Sequence, residues 1–312
     1  MKRILLLATS LLLAAATPSF AGVSPVVSPQ ELAALQGRPE LRVIDIRPAA
    51  VYAENHIPGA LSAPYAAWRG PADNPGKLPE ITQLAKLVQS LGVDENTHTV
   101  VVSTGENTTD FGAAARVYWT LKYLGLERLS VLNGGMQSWR AVGLPQDQAK
   151  AQVAASNYQP TLNQNILATQ NDILAQIDNP KARLVDARPT AFFQGEVKAP
   201  TASVPGTIRN AVNLAHSVWF KPDSTEIVSA EEARAIAAER FPDLVDDTIA
   251  FCNTGHWAAT DWFALSELAG LPNVRMYPES LAGWTNTQAA LPMDNTPSRG
   301  TQLLNQLKGV FK

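Results

Sequence analysis

Short apolar runs alternate along this chain with longer segments of helical spacing. Residues 42–46 and 183–187 are short, mostly apolar runs, each closing on Asp-x-Arg-Pro, where Pro48 and Pro189 end the ladder. Residues 99–103 and 248–252 are almost continuously apolar, as expected of strands covered on both faces. A helical pattern follows each of them. Phe111, Ala115, Tyr118 and Leu121 share one face and Gly125 closes the segment. Ala258, Trp262, Leu265 and Leu268 do the same ahead of Gly270. Apolar runs resume at 129–132 and 274–277. This alternation predicts an α/β fold with a mainly parallel sheet flanked by helices in each half.

The two halves match each other at a separation of about 145 residues. Ile44-Asp-Ile-Arg-Pro48 corresponds to Val185-Asp-Ala-Arg-Pro189, and Asn55-His-Ile-Pro-Gly-Ala60 to Gly206-Thr-Ile-Arg-Asn-Ala211. Thr99-Val-Val-Val-Ser103 corresponds to Thr248-Ile-Ala-Phe-Cys252, and Leu132-Asn-Gly-Gly-Met-Gln-Ser-Trp139 to Tyr277-Pro-Glu-Ser-Leu-Ala-Gly-Trp284. The order is kept and only loop lengths change. The expected organisation is a leader at 1–21, a first domain at 22–145, a polar linker at 146–164, a second domain at 165–292 and a polar tail at 293–312.

The leader carries Lys2 and Arg3, an apolar run at 4–16, and Ser19-Phe20-Ala21 with small residues where a signal peptidase reads. The run is short for a bilayer span. The expectation is export to the periplasm or beyond, with cleavage after Ala21 and no membrane association afterwards. The net charge of −3 gives no reason to expect nucleic acid as a partner. Exported proteins usually use cysteines in pairs, yet the composition holds a single Cys. A lone thiol in an oxidising compartment is a liability unless it is buried or used.

That thiol, Cys252, ends a buried strand, and Asn253-Thr-Gly-His-Trp257 leads from it into a helix. Ligands of open α/β sheets bind at this edge. A loop feeding a helix N-terminus turns backbone N–H groups inward, and Gly255 permits the curl. A thiolate held there is a good nucleophile, and a persulfide would carry the same charge one atom further out.

These features together resemble tandem rhodanese domains: the Asp-x-Arg strand end, the Gly-x-Ile turn at Gly206, the Cys-x-x-Gly loop opening a helix, and Trp284 closing the unit. The resemblance covers nearly all of the chain after the leader. It implies two rhodanese-like domains. In the second, Cys252 takes sulfane sulfur from a donor such as thiosulfate and passes it to cyanide or a thiol. In the first, Ser103 stands in the place of Cys252, so that half is the silent partner that walls part of the cleft. No metal or organic cofactor is implied. The partners implied are a small-molecule donor and acceptor, with a protein acceptor as an alternative. A second reading is a sulfur carrier with little turnover on small molecules. Phosphatases of similar fold use Cys-x5-Arg, but position 258 is Ala, so the phosphate clamp is missing.

The departures from the family pattern bear on the donor. The loop lacks the cations of many thiosulfate-using members and the Cys-Gly-x-Gly of the 3-mercaptopyruvate enzymes. A second substrate-binding Arg, expected shortly after Arg188, gives way to Phe192 and Phe193. The candidate substrate-binding set is Arg188, Asn253, Thr254, Gly255, His256 and Trp257, with Asp186 as structural support. Arg188 either holds the anionic head of the donor or ties the strand end to Asp186. His256 either lends positive charge to the thiolate or is an exposed loop histidine. Trp257 either shapes the cleft mouth or packs the helix. Residues 198–205 are an insertion relative to the first half, read as a surface loop with a lid as the alternative.

Overall fold

Alternation of side chains across each pleat decides how the first half is layered. In this computed structural model, which describes residues 23–301 apart from 244 and 299, that half holds β1 (Val26–Val27), β2 (Leu41–Asp45), β3 (Leu61–Ser62), β4 (His98–Val102) and β5 (Leu129–Leu132). They are ordered β1-β5-β4-β2-β3 and every pairing is parallel. Every residue of β4 is buried, as its run of valines requires. Val100 and Val102 face α1 (Pro29–Leu35), α2 (Ala49–Glu54) and α5 (Gly135–Ala141). Val101 faces the opposite layer, made by α3 (Ile81–Ser90) and α4 (Thr108–Tyr123).

The second half repeats this plan. Strands β6 (Ala182–Asp186), β8 (Val212–Asn213), β9 (Asp247–Phe251) and β10 (Val274–Met276) form a parallel sheet ordered β10-β9-β6-β8. Between β6 and β8 runs the short strand β7 (Thr207–Ile208), and the start of the polar tail, β11 (Met293–Asp294), pairs antiparallel with it. The helices are α6 (Gln170–Gln176), α7 (Thr190–Phe193), α8 (Ala230–Arg240), α9 (Trp257–Trp262) and α10 (Ser280–Thr285), and α9 runs on as a π-helical stretch over Phe263–Leu268. Leu167 bridges Met276 in parallel, in the position that β1 holds beside β5.

Helices α4 and α9, one from each half, pack on each other, so one apolar core crosses the seam. Phe111 and Tyr118 of α4 meet Phe263 edge-to-face at centroid distances of 5.4 and 4.9 Å. Tyr118 and Lys122 both donate to the Glu267 carboxylate, at 2.6 and 2.7 Å. The expected leader at 1–21 and the end of the tail lie outside the described residues.

The polar stretch at 146–164 forms almost no regular structure but is no loose linker. It lies along the first half and satisfies its backbone groups there one at a time. Asp147 exchanges backbone hydrogen bonds with His56, and the Ser156 amide donates to the Gln89 carbonyl. Tyr158 is buried, donates from its hydroxyl to the Leu124 carbonyl at 2.7 Å, and accepts from Gln89 at its own carbonyl. Such a strap has no apolar period because single anchors, not a face, hold it. Tyr158→Ala should therefore lower unfolding stability by about 3 kcal/mol, as truncation of a core aromatic does. Denaturant titration measures this, and a loss near zero would mean that the strap does not belong to the folded core.

Candidate active site

Strand β9 delivers Cys252 to the carboxyl edge of the second sheet, where the residue is 1% exposed and its thiol is free. The backbone then curls through Asn253, Thr254 and Gly255 into α9. Gly255 takes φ = 70°, and a Cβ there would lie 2.3 Å from both an Arg116 Nη1 and the Pro278 carbonyl oxygen, so only glycine fits. The Ser280 hydroxyl sits beneath the loop. It accepts from the amides of Cys252 and Gly255 at 3.0 and 3.1 Å and donates to the Tyr277 carbonyl. Ser280 is fully buried at φ = 52°, a left-handed conformation that is unfavourable for a residue with a Cβ.

Four groups hold the loop carbonyls from outside. The amides of Leu281 and Ala282, opening α10, donate to the carbonyls of Cys252 and Asn253. Arg69 donates to the Thr254 carbonyl at 2.8 Å, and Arg116 to the Gly255 carbonyl at 3.3 Å. Both arginines come from the first half. Among the described residues, the amides of Asn253, Thr254 and His256 donate to no protein atom. The loop thus offers free backbone donors while its backbone carbonyls are engaged, which suits an anion.

Arg188 and Asp186 form a buried ion pair at 2.6 Å, with side chains 2% and 0% exposed. The guanidinium Nε and Nη2 grip both carboxylate oxygens, Nη2 also donates to the Gly206 carbonyl, and Nη1 reaches Asn253 Oδ1 at 3.3 Å. The Thr207 hydroxyl donates to the same carboxylate. The fork is spent on the protein. Of the two readings that the sequence left open, the geometry favours the strand-end tie, which reaches the Cys252 loop through Asn253. Arg47 repeats the arrangement in the first half, with Asp45 at 2.6 Å and the Asn55 carbonyl.

His256 corrects an expectation: it is neither charged nor a free loop side chain. Its Nε2 donates to the Thr109 carbonyl at 2.7 Å, and its Nδ1 accepts from the Tyr65 hydroxyl at 3.1 Å. Loss of water, and then the Arg69 charge, push its pKa down to about 4, so the ring is neutral near pH 7. It pins the loop to the first half. Trp257 stacks on His216 at 4.8 Å, meets Phe192 edge-on at 6.0 Å and donates to the Thr109 hydroxyl. Asp261, one turn further along α9, is fully buried and accepts from Trp219, and desolvation pushes its pKa well above the usual carboxylate range.

Sequence reasoning missed Tyr65, Arg69, Arg116 and Ser280. No motif marks the first three, because only the docking of the halves brings them to Cys252. Ser280 had a legible signal. It stands where the first half has Gly135, at φ = 57°, so a position needing left-handed backbone holds serine in the half with the thiol. The insertion at 198–205 packs on α10: Asn286 donates to the Thr201 carbonyl, and Ser203 bonds to Thr285. With residues 72–74 and Glu279 it walls a cavity of about 780 Å³.

Residues 28–142 and 169–287 each match the rhodanese-like domain. The chain is similar to a thiosulfate sulfurtransferase of Bos taurus, 32% identical over 75% of this chain and 78% of that one. It is similar also to a 3-mercaptopyruvate sulfurtransferase of Escherichia coli, 27% identical over 82% and 92%. Among solved structures, that of a 3-mercaptopyruvate sulfotransferase from Escherichia coli matches with a TM-score of 0.72 at 26% identity, covering 83% of this chain and 99% of the other. This chain belongs to the rhodanese-like family, with two of its domains in tandem.

Proposed function

We propose that this protein is a sulfurtransferase that carries sulfane sulfur on Cys252. The observation that carries this reading is the buried lone thiol at the end of β9, wrapped by a loop whose carbonyls are all engaged from outside. The Cys252 thiolate attacks the outer sulfur of a donor such as thiosulfate. The donor's S–S bond breaks, sulfite leaves with the electron pair, and Cys252 becomes a persulfide. Cyanide or a thiol then attacks the terminal sulfur, and the thiolate is restored. No outside oxidant or reductant enters.

Relatives named for thiosulfate and for 3-mercaptopyruvate stand at comparable identities, which supports sulfur transfer as the reaction rather than one donor. Asp186, Arg188, Asn253, Thr254 and Gly255 shape the loop, and its free amides receive the anion. The lack of cations in the loop and the missing second Arg near Phe192 and Phe193 favour a carrier without small-molecule turnover. Arg69 and Arg116 answer the first of these grounds, since the first half brings cations to the loop from outside. A small-molecule acceptor suffices for the cycle. Residues 1–21 have the form of an export signal, and on that basis we place the reaction outside the cytosol.

Cys252→Ser should lower thiocyanate formation from thiosulfate and cyanide by about a hundredfold or more and leave the fold intact, because serine accepts sulfur poorly. The wild-type protein treated with thiosulfate should gain the mass of one sulfur atom on Cys252. Substantial turnover by the serine variant would rule out the persulfide route.

Arg188→Lys cannot restore the fork and leaves the Asp186 carboxylate underpaired. The expected loss is about 3–5 kcal/mol of stability, with donor and acceptor half-reactions slowed together. Thermal melting and single-turnover kinetics measure both. A selective loss in the donor half-reaction with unchanged melting would instead make Arg188 the donor's anchor.

A further inference from the structure

We infer that Arg69 and Arg116, both supplied by the half that has no thiol, orient the Cys252 loop and provide the fixed positive charge for the sulfur anion it holds. The inference rests on the sulfur-transfer reading of Cys252 and adds to it the residues that make the loop competent.

Peptide planarity carries the first part. Every peptide here is trans among the described residues, so a carbonyl and the N–H of the next residue point in opposite directions. Arg69 draws the Thr254 carbonyl to one side, which turns the Gly255 N–H to the other, onto Ser280. Arg116 draws the Gly255 carbonyl, which turns the His256 N–H away from the guanidinium and leaves it without a protein partner. The α10 amides do the same for Asn253 and Thr254 through the carbonyls before them. Two peptide planes of the loop are thus set from within the second half, and two from the first.

Charge carries the second part. Among the described residues neither Arg69 nor Arg116 is ion-paired, although Arg116 is fully buried and its Nε has no partner. Burial, and then the nearby Arg69, push the Arg116 pKa down to about 9, and a negative Cys252 is among the groups that draw it back up. The guanidinium stays charged at neutral pH and makes no ion pair among the described residues, with Glu279 the carboxylate near enough to raise its pKa. An anion in the loop adds counter-charge on the side of the thiol, be it thiolate, persulfide or the donor's head.

The other groups around the loop do not replace it. Asp186 and Arg188 of the β6 end neutralise each other. His216, like His256, is held neutral by burial, and burial pushes the Asp261 carboxyl of α9 well above the usual carboxylate range. Glu279, ahead of α10, accepts from Asn74 at 2.6 Å, and the Tyr65 hydroxyl keeps its proton between Arg69 and His256.

The test uses the full chain with Arg116→Met, Arg116→Lys and Arg69→Met. The chain holds one Cys, so thiolate ultraviolet absorbance against pH, with Cys252→Ser as blank, reports Cys252 alone. Arg116→Met should raise the thiolate midpoint by about one pH unit and KM for thiosulfate about tenfold. Arg116→Lys should recover part of the midpoint but less of KM, because an ammonium keeps the charge without the fork. Arg69→Met should move both in the same direction. If Arg116→Met does not fold, Arg69→Met, whose side chain is half-buried, carries the test. Folded variants whose midpoint and KM match wild type would overturn the inference. The functional reading fails separately: a wild-type protein that gains no sulfur from any donor loses the reaction, whereas a shifted midpoint would still establish the arginines.

Discussion

A guanidinium group in a dry seam is the constraint on which the rest of this structure depends. Arg116 leaves α4 of the first half, donates to the Gly76 carbonyl at 2.8 Å and ends on the Gly255 carbonyl of the second. Removing such a charge from water is costly unless hydrogen bonds and an opposite charge replace the hydration. The seam meets the first condition with backbone carbonyls. Close approach keeps water out: a Cβ on Gly112 would lie 2.8 Å from the His256 ring, and one on Gly76 would lie 2.3 Å from the Pro278 carbonyl oxygen. In that dry setting each dipole and charge acts more strongly than in water.

The duplication separates what the fold needs from what the chemistry needs. The aspartate–arginine clamp occurs in both halves with the same 2.6 Å contact, so it belongs to the fold. The left-handed position before the last helix of each half also recurs. Glycine fills it in the first half, where no Cβ is strained, and serine fills it beside the thiol. The serine accepts that strain and gains a hydroxyl under the Cys252 and Gly255 amides. Ser103 and Cys252 end equivalent buried strands, and the adjoining carbonyls are bonded alike: Met136 and Gln137 donate to Ser103 and Thr104 as Leu281 and Ala282 donate to Cys252 and Asn253. The framework of the loop is therefore common to both halves and does not depend on the thiol.

Arginines rather than imidazolium groups carry the positive charge around the thiol. His256 and His216 are neutral near pH 7 because burial disfavours the imidazolium. The cationic side chains that touch the loop are Arg69 and Arg116, at the Thr254 and Gly255 carbonyls. His256 serves instead as a hydrogen-bonded strut, with Tyr65 on one ring nitrogen and Thr109 on the other.

The sequence by itself determined the layers, the two-fold repeat, the strand that ends on Cys252 and the turn that Gly255 permits. All of these follow from local periodicity and from backbone rules that act over a few residues. The clamp partners of Arg188 were also within reach, two residues apart on one strand end, although the choice between clamp and donor anchor needed its spent fork. What the tertiary structure decided is whatever depends on the docking of α4 against α9. Tyr65 and Arg69 stand more than 180 residues before their partners His256 and Thr254, and Arg116 stands 139 before Gly255. No period or spacing encodes such a meeting. The neutral state of His256 was equally hidden, since a histidine's charge is set by the water it loses, and that loss exists only once the two halves have closed on the loop.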